Sequence, residues 1–493
     1  MTTLATVAGG ADDAPAIGAP GRAPLTHAGL RALMEGTAGR LKTLGVGSGD
    51  RIAIVLSNGP EMAAAFVAVG AAAATAPLNP GYRADELEFY LSDIGAKAVL
   101  AAEDDEGPAV QTAKRLGIAV FRLTADTAGP AGSFSIAGRP LGAPAGDGPA
   151  EPGDIALLLH TSGTTSRPKL VPLSHANLVA SAGHIGRALA LTADDRCLNI
   201  MPLFHIHGLA AAVLSSLSAG GSVFCTPGFS ALSFFGWMQE FGPSWYTAVP
   251  TMHQAILARA PRNAEVVEAA ALRFIRSSSA SLPPQVMGEL EATFGCPVIE
   301  SYGMTEAAHQ MSSNPLPPAA RKPGTVGIAA GPEIAVMDAR GHLLGPQTEG
   351  EIVIRGANVT SGYENNPDAN AAAFAHGWFH TGDQGTMDAD GYARVTGRLK
   401  EIINRGGEKI SPREVDEVLM DHPAIAQAVT FAMAHEKLGE EVAAAVVLRE
   451  GATADERGIM DFASERLADF KVPRRVLILD EIPKGATGKL QRI

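Results

Sequence analysis

Cysteine is scarce: Cys197, Cys225 and Cys296 are the only three in 493 residues. Their wide separation fits neither a disulfide framework nor a metal-ligand spacing, so the expectation is three buried thiols in a reducing compartment. Positive charge is in short supply too, with 39 Lys and Arg against 52 Asp and Glu and a formal net charge of -13. Such a surface field repels polyanions, which argues against a nucleic-acid partner and means that an anionic substrate must be met by local donors. The apolar stretch at residues 62–78 is mostly alanine and contains Gly70. It is too weak and short for a membrane span and suits a helix packed on a sheet. The first twenty residues lack a basic start followed by a Leu-type apolar run, so they do not read as a signal peptide, and residues 1–24 are expected to form a flexible arm. A C-terminal Ser-Lys-Leu address is missing, and the expected location is cytoplasmic. No fixed-period repeat is visible, which excludes a solenoid.

What is present is an ordinary globular balance, 46% hydrophobic and 18% charged. The length exceeds what one core usually organises, which favours two or more domains. Short apolar runs at residues 51–56 and 98–101 read as buried strands between helical periods, the signature of α/β layers. A Gly/Pro/Ala-rich segment at 128–152 reads as a surface loop. After Lys400 the pattern changes. Ser411 and Glu414 form a capping-box pair with Pro412 at the first helical position, predicting a helix to about Asp421. Strand-like 426–431 and 442–448, a helical period at 455–467 and a strand at 475–479 complete a small α+β unit. The expected division is therefore a large domain of layered α/β subdomains at 25–399 and a small, mobile α+β domain at 400–493.

The strongest local signal is Thr161-Ser162-Gly163-Thr164-Thr165-Ser166-Arg167-Pro168-Lys169, directly after the apolar run 155–159. A loop dense in glycine and hydroxyls offers N–H and O–H donors to phosphate oxygens, and Lys169 adds mobile positive charge. It is not a Walker loop, because the Gly-x4-Gly-Lys-Ser/Thr spacing is absent. A helix capped at Ser174 should follow.

Further motifs follow in order: Pro202-Leu203-Phe204-His205, Ser301-Tyr302-Gly303-Met304-Thr305-Glu306, Thr381-Gly382-Asp383, Gly397-Arg398, and Pro483-Lys484 leading to Gly488-Lys489. With the hydroxyl-rich loop, this set resembles the adenylate-forming superfamily of acyl-CoA synthetases, firefly-type luciferases and peptide-synthetase adenylation domains, from about residue 25 to the C-terminus. The resemblance implies ATP, Mg2+ and coenzyme A as cofactors. It implies that Tyr302 stacks on adenine, with Ser301 and Gly303 beside it, that Thr305 contacts phosphate and that Glu306 helps hold Mg2+. Asp383 would accept both ribose hydroxyls with Arg398 assisting. Lys489 and His205 would stand with Thr305 and Glu306 as catalytic residues, Lys489 bridging the substrate carboxylate and the α-phosphate. Lys400 would be the hinge between two orientations of the small domain, and Gly406 and Gly407 would line the pantetheine tunnel. The chain stops at Ile493, sooner after the lysine than is common in the family.

Within the superfamily the chain is most similar to oxalate:CoA ligases. The likeness is carried by Ser166, where most members have glycine, and by His205-Ile206-His207-Gly208, Trp245-Tyr246-Thr247-Ala248-Val249-Pro250, Ser277-Ser278-Ser279-Ala280-Ser281 and Ala307-Ala308-His309. An oxalate-sized dianion needs a short pocket with donors for its distal carboxylate. His207, Ser279, Ala280, Ser281 and His309 are the expected pocket residues, four of them polar where a fatty-acid tunnel would be apolar. The resulting expectation is a monomeric or homodimeric ATP-dependent acid:CoA ligase acting through an acyl-AMP on oxalate or a similarly small dicarboxylate. Malonate, a small aromatic acid, a fatty acid, a carrier-protein acceptor and a nucleotide-binding regulatory protein without turnover remain as alternatives.

Overall fold

The computed structural model describes residues 2–146, 148–161 and 168–492. Two sheets with mainly parallel interiors form the larger part. In the seven-stranded sheet, strands Ala119–Ala125, Ala98–Ala102, Arg51–Val55, Ala74–Pro77 and Ile155–His160 lie side by side and parallel, with antiparallel Phe134–Ala137 and Leu170–Ser174 at the two edges. The nine-stranded sheet carries Val298–Met304, Phe274–Ser277, Trp245–Ala248, Arg196–Asn199 and Ser222–Cys225 as its parallel centre. Strands buried on both faces need apolar residues at successive positions, which explains the short continuous runs in the sequence.

The alanine-rich stretch divides into the helix Pro60–Gly70 and the strand Ala74–Pro77. Every helix residue but Glu61 is buried. Small side chains allow this helix to approach strands of both large sheets, and its Phe66 and Val67 join their shared core.

The expected flexible arm at 1–24 is corrected by the structure. Strand Pro15–Ala19 pairs in parallel with Ser222–Cys225 and antiparallel with Arg22–Thr26, completing the nine-stranded sheet, while Leu4 and Val7 are fully buried. The loop reading of 128–152 is likewise incomplete, since Phe134–Ala137 is an edge strand.

A four-stranded antiparallel sheet, Glu333–Met337, Gly350–Arg355, Phe379–Met387 and Ala393–Arg398, follows. The last sheet begins at Ile403 and is built from Ile403–Arg405, Glu408–Ile410, Ile425–His435, Gly439–Leu448 and Arg475–Ile478. Its core of Ile403, Val415, Leu419, Ile425 and Val442 is separate from that of the large sheets. Helix Pro412–Met420 starts as expected, but not through a capping box: Ser411 Oγ donates to the Thr396 carbonyl and Glu414 pairs with Lys471 at 2.6 Å. A capping box does form at Ser174, whose hydroxyl accepts from Asn177 N at 3.1 Å while the Asn177 side chain accepts from Ser174 N at 3.0 Å. All three cysteines are free and buried. Among the described residues no helix is long and apolar enough to cross a membrane.

Candidate active site

Strand Ile155–His160 delivers the chain to Thr161, which is clasped to Lys169 from both sides: Thr161 N donates to the Lys169 carbonyl at 3.0 Å and Lys169 N donates to Thr161 Oγ at 3.2 Å. The proposed phosphate donors Ser162, Gly163, Thr164, Thr165 and Ser166 lie outside the described residues. Lys169 Nζ stands 4.3 Å from the Tyr363 ring centre, and the Tyr363 hydroxyl donates to Glu306 Oε1 at 2.8 Å. Burial pushes the Glu306 carboxyl above its ordinary range. Burial also lowers the Lys169 ammonium, with Glu306 opposing and Lys400 adding to the shift. Thr305 opens the short 3-10 turn that carries Glu306.

Strand Val298–Met304 holds Ser301, Tyr302 and Gly303. Ser301 Oγ lies 3.0 Å from Ser313 Oγ, and its carbonyl accepts from Ser278 Oγ at 2.9 Å, so Ser301 is tied into the sheet. Tyr302 donates its phenol hydrogen to Asp383 Oδ2, and Arg398 Nε donates to Asp383 Oδ1 at 2.8 Å. Each carboxylate oxygen has a second lone pair, so Asp383 keeps the capacity to accept a diol. The adjacent Asp383 charge raises the Arg398 guanidinium further above its usual value.

Lys489 arrives from the small domain on a tight hairpin in which Gly485 N donates to the Lys489 carbonyl at 2.8 Å and Gln491 N donates to the Pro483 carbonyl at 2.9 Å. Gly488 turns this hairpin at φ +81°, and a Cβ there would stand 3.2 to 3.5 Å from Val249, Thr251 and Met252 of the large domain. Burial, with Arg398 beside it, pushes the Lys489 ammonium down to about 8. Burial and the Lys489 charge push His205 down to about 3, leaving a neutral imidazole whose Nδ1 accepts from His207 N at 3.3 Å.

Next to His205 lies a polar cluster in which His207, Thr247 and His309 are fully buried and Ser279 half-buried. His207 opens a π-helical segment, His207–Leu214, a local irregularity frequent at functional sites. Its Nδ1 is 3.0 Å from Ser279 Oγ and its Nε2 is 2.6 Å from Thr247 Oγ1. The His309 ring centre is 4.9 Å away. Ser279 and His309 have left-handed backbone, φ +72° and +94°, which costs a non-glycine residue on the order of 1–3 kcal/mol. Ala280 is exposed and Ser281 half-buried, and no hydrogen bond joins either to this cluster. Gly406 and Gly407 form the turn between the strands Ile403–Arg405 and Glu408–Ile410, at φ +60° and +100°, and among the described residues neither is hydrogen-bonded to Tyr302, Asp383 or Arg398. Lys400 sits in the turn where the four-stranded sheet gives way to the last one.

Sequence reasoning missed Arg276 and Tyr363. Arg276 is fully buried on the strand Phe274–Ser277, and among the described residues it has no carboxylate partner. The available signal was a cation at an inward position of the four-residue strand Phe-Ile-Arg-Ser.

No described set of three acidic, His or Cys side chains could hold a metal by itself. Mg2+ bound through triphosphate oxygens needs one or two carboxylates from the protein, and the buried, Tyr363-anchored Glu306 fits that requirement.

The large domain carrying Tyr302, Asp383, Arg398 and Glu306 and the small domain that brings Lys489 beside them belong to an adenylate-forming ligase, an AMP-forming acyl-CoA synthetase using ATP, Mg2+ and coenzyme A. The comparisons agree. The chain belongs to the AMP-binding enzyme family, which matches residues 4–364, while the AMP-binding enzyme C-terminal domain matches 414–489. It is similar to an oxalate–CoA ligase of Arabidopsis thaliana, 48% identical over 97% of this chain and 94% of the relative, and to an oxalate–CoA ligase of Saccharomyces cerevisiae, 40% identical over 90% and 86%. A sulfoacetate–CoA ligase of Cupriavidus necator is 36% identical over 94% and 91%. Among solved structures, ATP-bound MatB from Rhodopseudomonas palustris superposes with a TM-score of 0.87 at 30% identity, covering 99% of this chain and 97% of that one.

Proposed function

We propose that this acyl-CoA synthetase acts on oxalate. A carboxylate oxygen of the acid attacks the α-phosphorus of ATP, the bond to pyrophosphate breaks, and an acyl-AMP forms. The thiol of coenzyme A then attacks the acyl carbon, AMP leaves, and the thiol proton is released. Lys489 meets the negative charge that gathers where carboxylate and α-phosphate approach, a task suited to a cation in a water-poor site. Tyr302, Asp383 and Arg398 orient the nucleoside, and Thr305 and the donors of the hydroxyl-rich loop hold phosphate. When bound, Mg2+ supplies charge neutralisation on the phosphate oxygens, with Glu306 as its protein ligand. Neutral His205 packs beside Lys489 and keeps the junction from carrying a second competing cation. Lys400 serves as the hinge, and the Gly406–Gly407 turn admits the pantetheine in the second orientation.

The observation that carries the oxalate reading is the buried polar cluster. A long acyl chain would need an apolar tunnel, whereas His207, Ser279, His309 and Arg276 close the site with donors and positive charge. The 48% identity to an oxalate–CoA ligase supports the same substrate. A second reading, another short acid with an anion at each end such as sulfoacetate, is favoured by the 36% identity to a sulfoacetate–CoA ligase. Pyrophosphate release with Mg-ATP and CoA, measured with oxalate, sulfoacetate, malonate and acetate, separates these readings. Preference for oxalate supports the first, and preference for sulfoacetate replaces it with the second.

A further inference from the structure

Arg276 is fully buried beside His207 and His309, and its hydrogen-bond partners admit a consistent placement of protons. Its Nη1 is 3.3 Å from Thr247 Oγ1 and 3.4 Å from both His207 Nε2 and His309 Nε2, and its Nη2 donates to Gln310 Oε1 at 3.2 Å. A guanidinium only donates, so each neighbour must accept or turn its own hydrogen elsewhere. Nη1 has two hydrogens. Giving them to Thr247 Oγ1 and His309 Nε2 leaves the Thr247 O–H free to donate to His207 Nε2 at 2.6 Å. Both imidazoles then bear their hydrogen on Nδ1. His207 Nδ1–H donates to Ser279 Oγ at 3.0 Å, which frees the Ser279 O–H to donate onward. Among the described residues the buried His309 Nδ1 has no hydrogen-bond partner.

We propose that Arg276 is a positioning residue that sets the hydrogen-bond polarity of the acid pocket. It holds His207 and His309 with Nε2 as acceptor, so that Ser279 Oγ–H and His309 Nδ1–H are the donors awaiting the second anionic group of the substrate. This rests on the acid-pocket reading above.

Two further features agree. The two terminal donors belong to residues with left-handed backbone, Ser279 and His309, and strain of this kind persists where surrounding structure demands a particular side-chain placement. Burial, together with the neighbouring charged and imidazole groups, holds both histidines far below their ordinary range, while Arg276, lowered by burial to about 9, remains a cation near neutral pH. Neutral imidazoles with fixed tautomers can donate without bringing further charge into a dry site.

Two measurements test this. In 15N-histidine-labelled wild-type protein, long-range 1H–15N correlation spectra, assigned with His207→Gln and His309→Gln, should show both rings protonated on Nδ1 and unprotonated on Nε2. A proton on Nε2 of either ring overturns the proposal, whatever acid the enzyme uses. In steady-state assays, Arg276→Gln should raise the KM for oxalate about 10- to 100-fold, the size expected for charge-assisted hydrogen bonds, with the KM for ATP unmoved. Arg276→Lys, which keeps charge but loses the fork, should not restore it. Equal losses for oxalate and ATP, or full rescue by lysine, would also overturn it. If wild type ignores oxalate, the proposed substrate falls while the tautomer measurement still decides the role of Arg276.

Discussion

Thr251 on the large domain donates its hydroxyl hydrogen to the Gly488 carbonyl on the small domain at 2.7 Å, one residue before Lys489. This bond belongs to the domain orientation that brings Lys489 beside Asp383, Arg398 and His205. Thr251→Val keeps the shape and removes the donor. It should slow acid-dependent pyrophosphate release about 3- to 10-fold, the range of one neutral hydrogen bond, and leave thioester formation from supplied acyl-AMP unchanged. Equal slowing of both half-reactions would contradict a role specific to this orientation.

Lys489→Ala should lower acyl-AMP formation by about 10²- to 10³-fold, as for other transition-state charge stabilisers. Supplied acyl-AMP should still be converted to the thioester. Near-normal pyrophosphate release by the variant would remove Lys489 from the adenylation step.

Burial lowers the Lys489 ammonium to about 8, and the role proposed for it needs the protonated form. Adenylation kcat/KM should therefore hold below that pH and fall as pH rises through about 8. In Lys489→Arg, whose guanidinium stays charged, the falling limb should move up by at least one pH unit. An unchanged limb would assign it to another group.

Arg492 pins the tail that carries Lys489: Nη2 pairs with the half-buried Asp416 at 2.7 Å, Nη1 donates to the Thr430 carbonyl at 2.7 Å and Nε meets Glu401 at 3.1 Å. Arg492→Ala leaves Asp416 without its cation. The variant should lose up to about 3 kcal/mol in denaturant unfolding, the lower end for a broken buried pair because Arg492 is part-exposed. Wild-type unfolding would show that Asp416 relaxes to solvent.

Glu300, buried with Oε2 unpartnered, is pushed by burial from an ordinary 4.5 up to about 7, with Arg413 opposing the shift. The folded state thus holds a proton that the unfolded chain releases. Its stabilising effect is complete below pH 4.5 and is lost as pH rises through 7. Glu300→Gln should flatten this part of the curve, raising the unfolding midpoint at pH 8 relative to wild type. A midpoint lower at every pH would show that the ionised form is the one the fold prefers.

The parallel strands were legible because burial on both faces writes continuous apolar runs, as at Ile155–His160, and the helix starting at Pro412 because proline fits its first turn. The family was legible through local motifs such as Thr381-Gly382-Asp383 and Gly488-Lys489. What was hidden depends on distant parts of the chain. Pro15–Ala19 looks like a loose Ala/Gly/Pro segment until Ser222–Cys225 supplies its partner. Tyr363 shows its connection to the site through the hydrogen bond to Glu306, 57 residues away. Arg276 reads locally as a surface cation, because nothing near it in sequence reveals that His207, Thr247, His309 and Gln310 close around it. Ser411 and Glu414 matched a capping box, yet tertiary partners Thr396 and Lys471 took both side chains.

The most direct test of the account is acid-dependent pyrophosphate release with Mg-ATP and CoA across oxalate, malonate, acetate, a medium-chain fatty acid and 4-coumarate, with the thioester product identified. The polar end formed by His207, Ser279, His309 and Arg276 predicts that oxalate gives the highest kcat/KM and that the fatty acid gives almost none. A fatty or aromatic acid turned over faster than oxalate would contradict it.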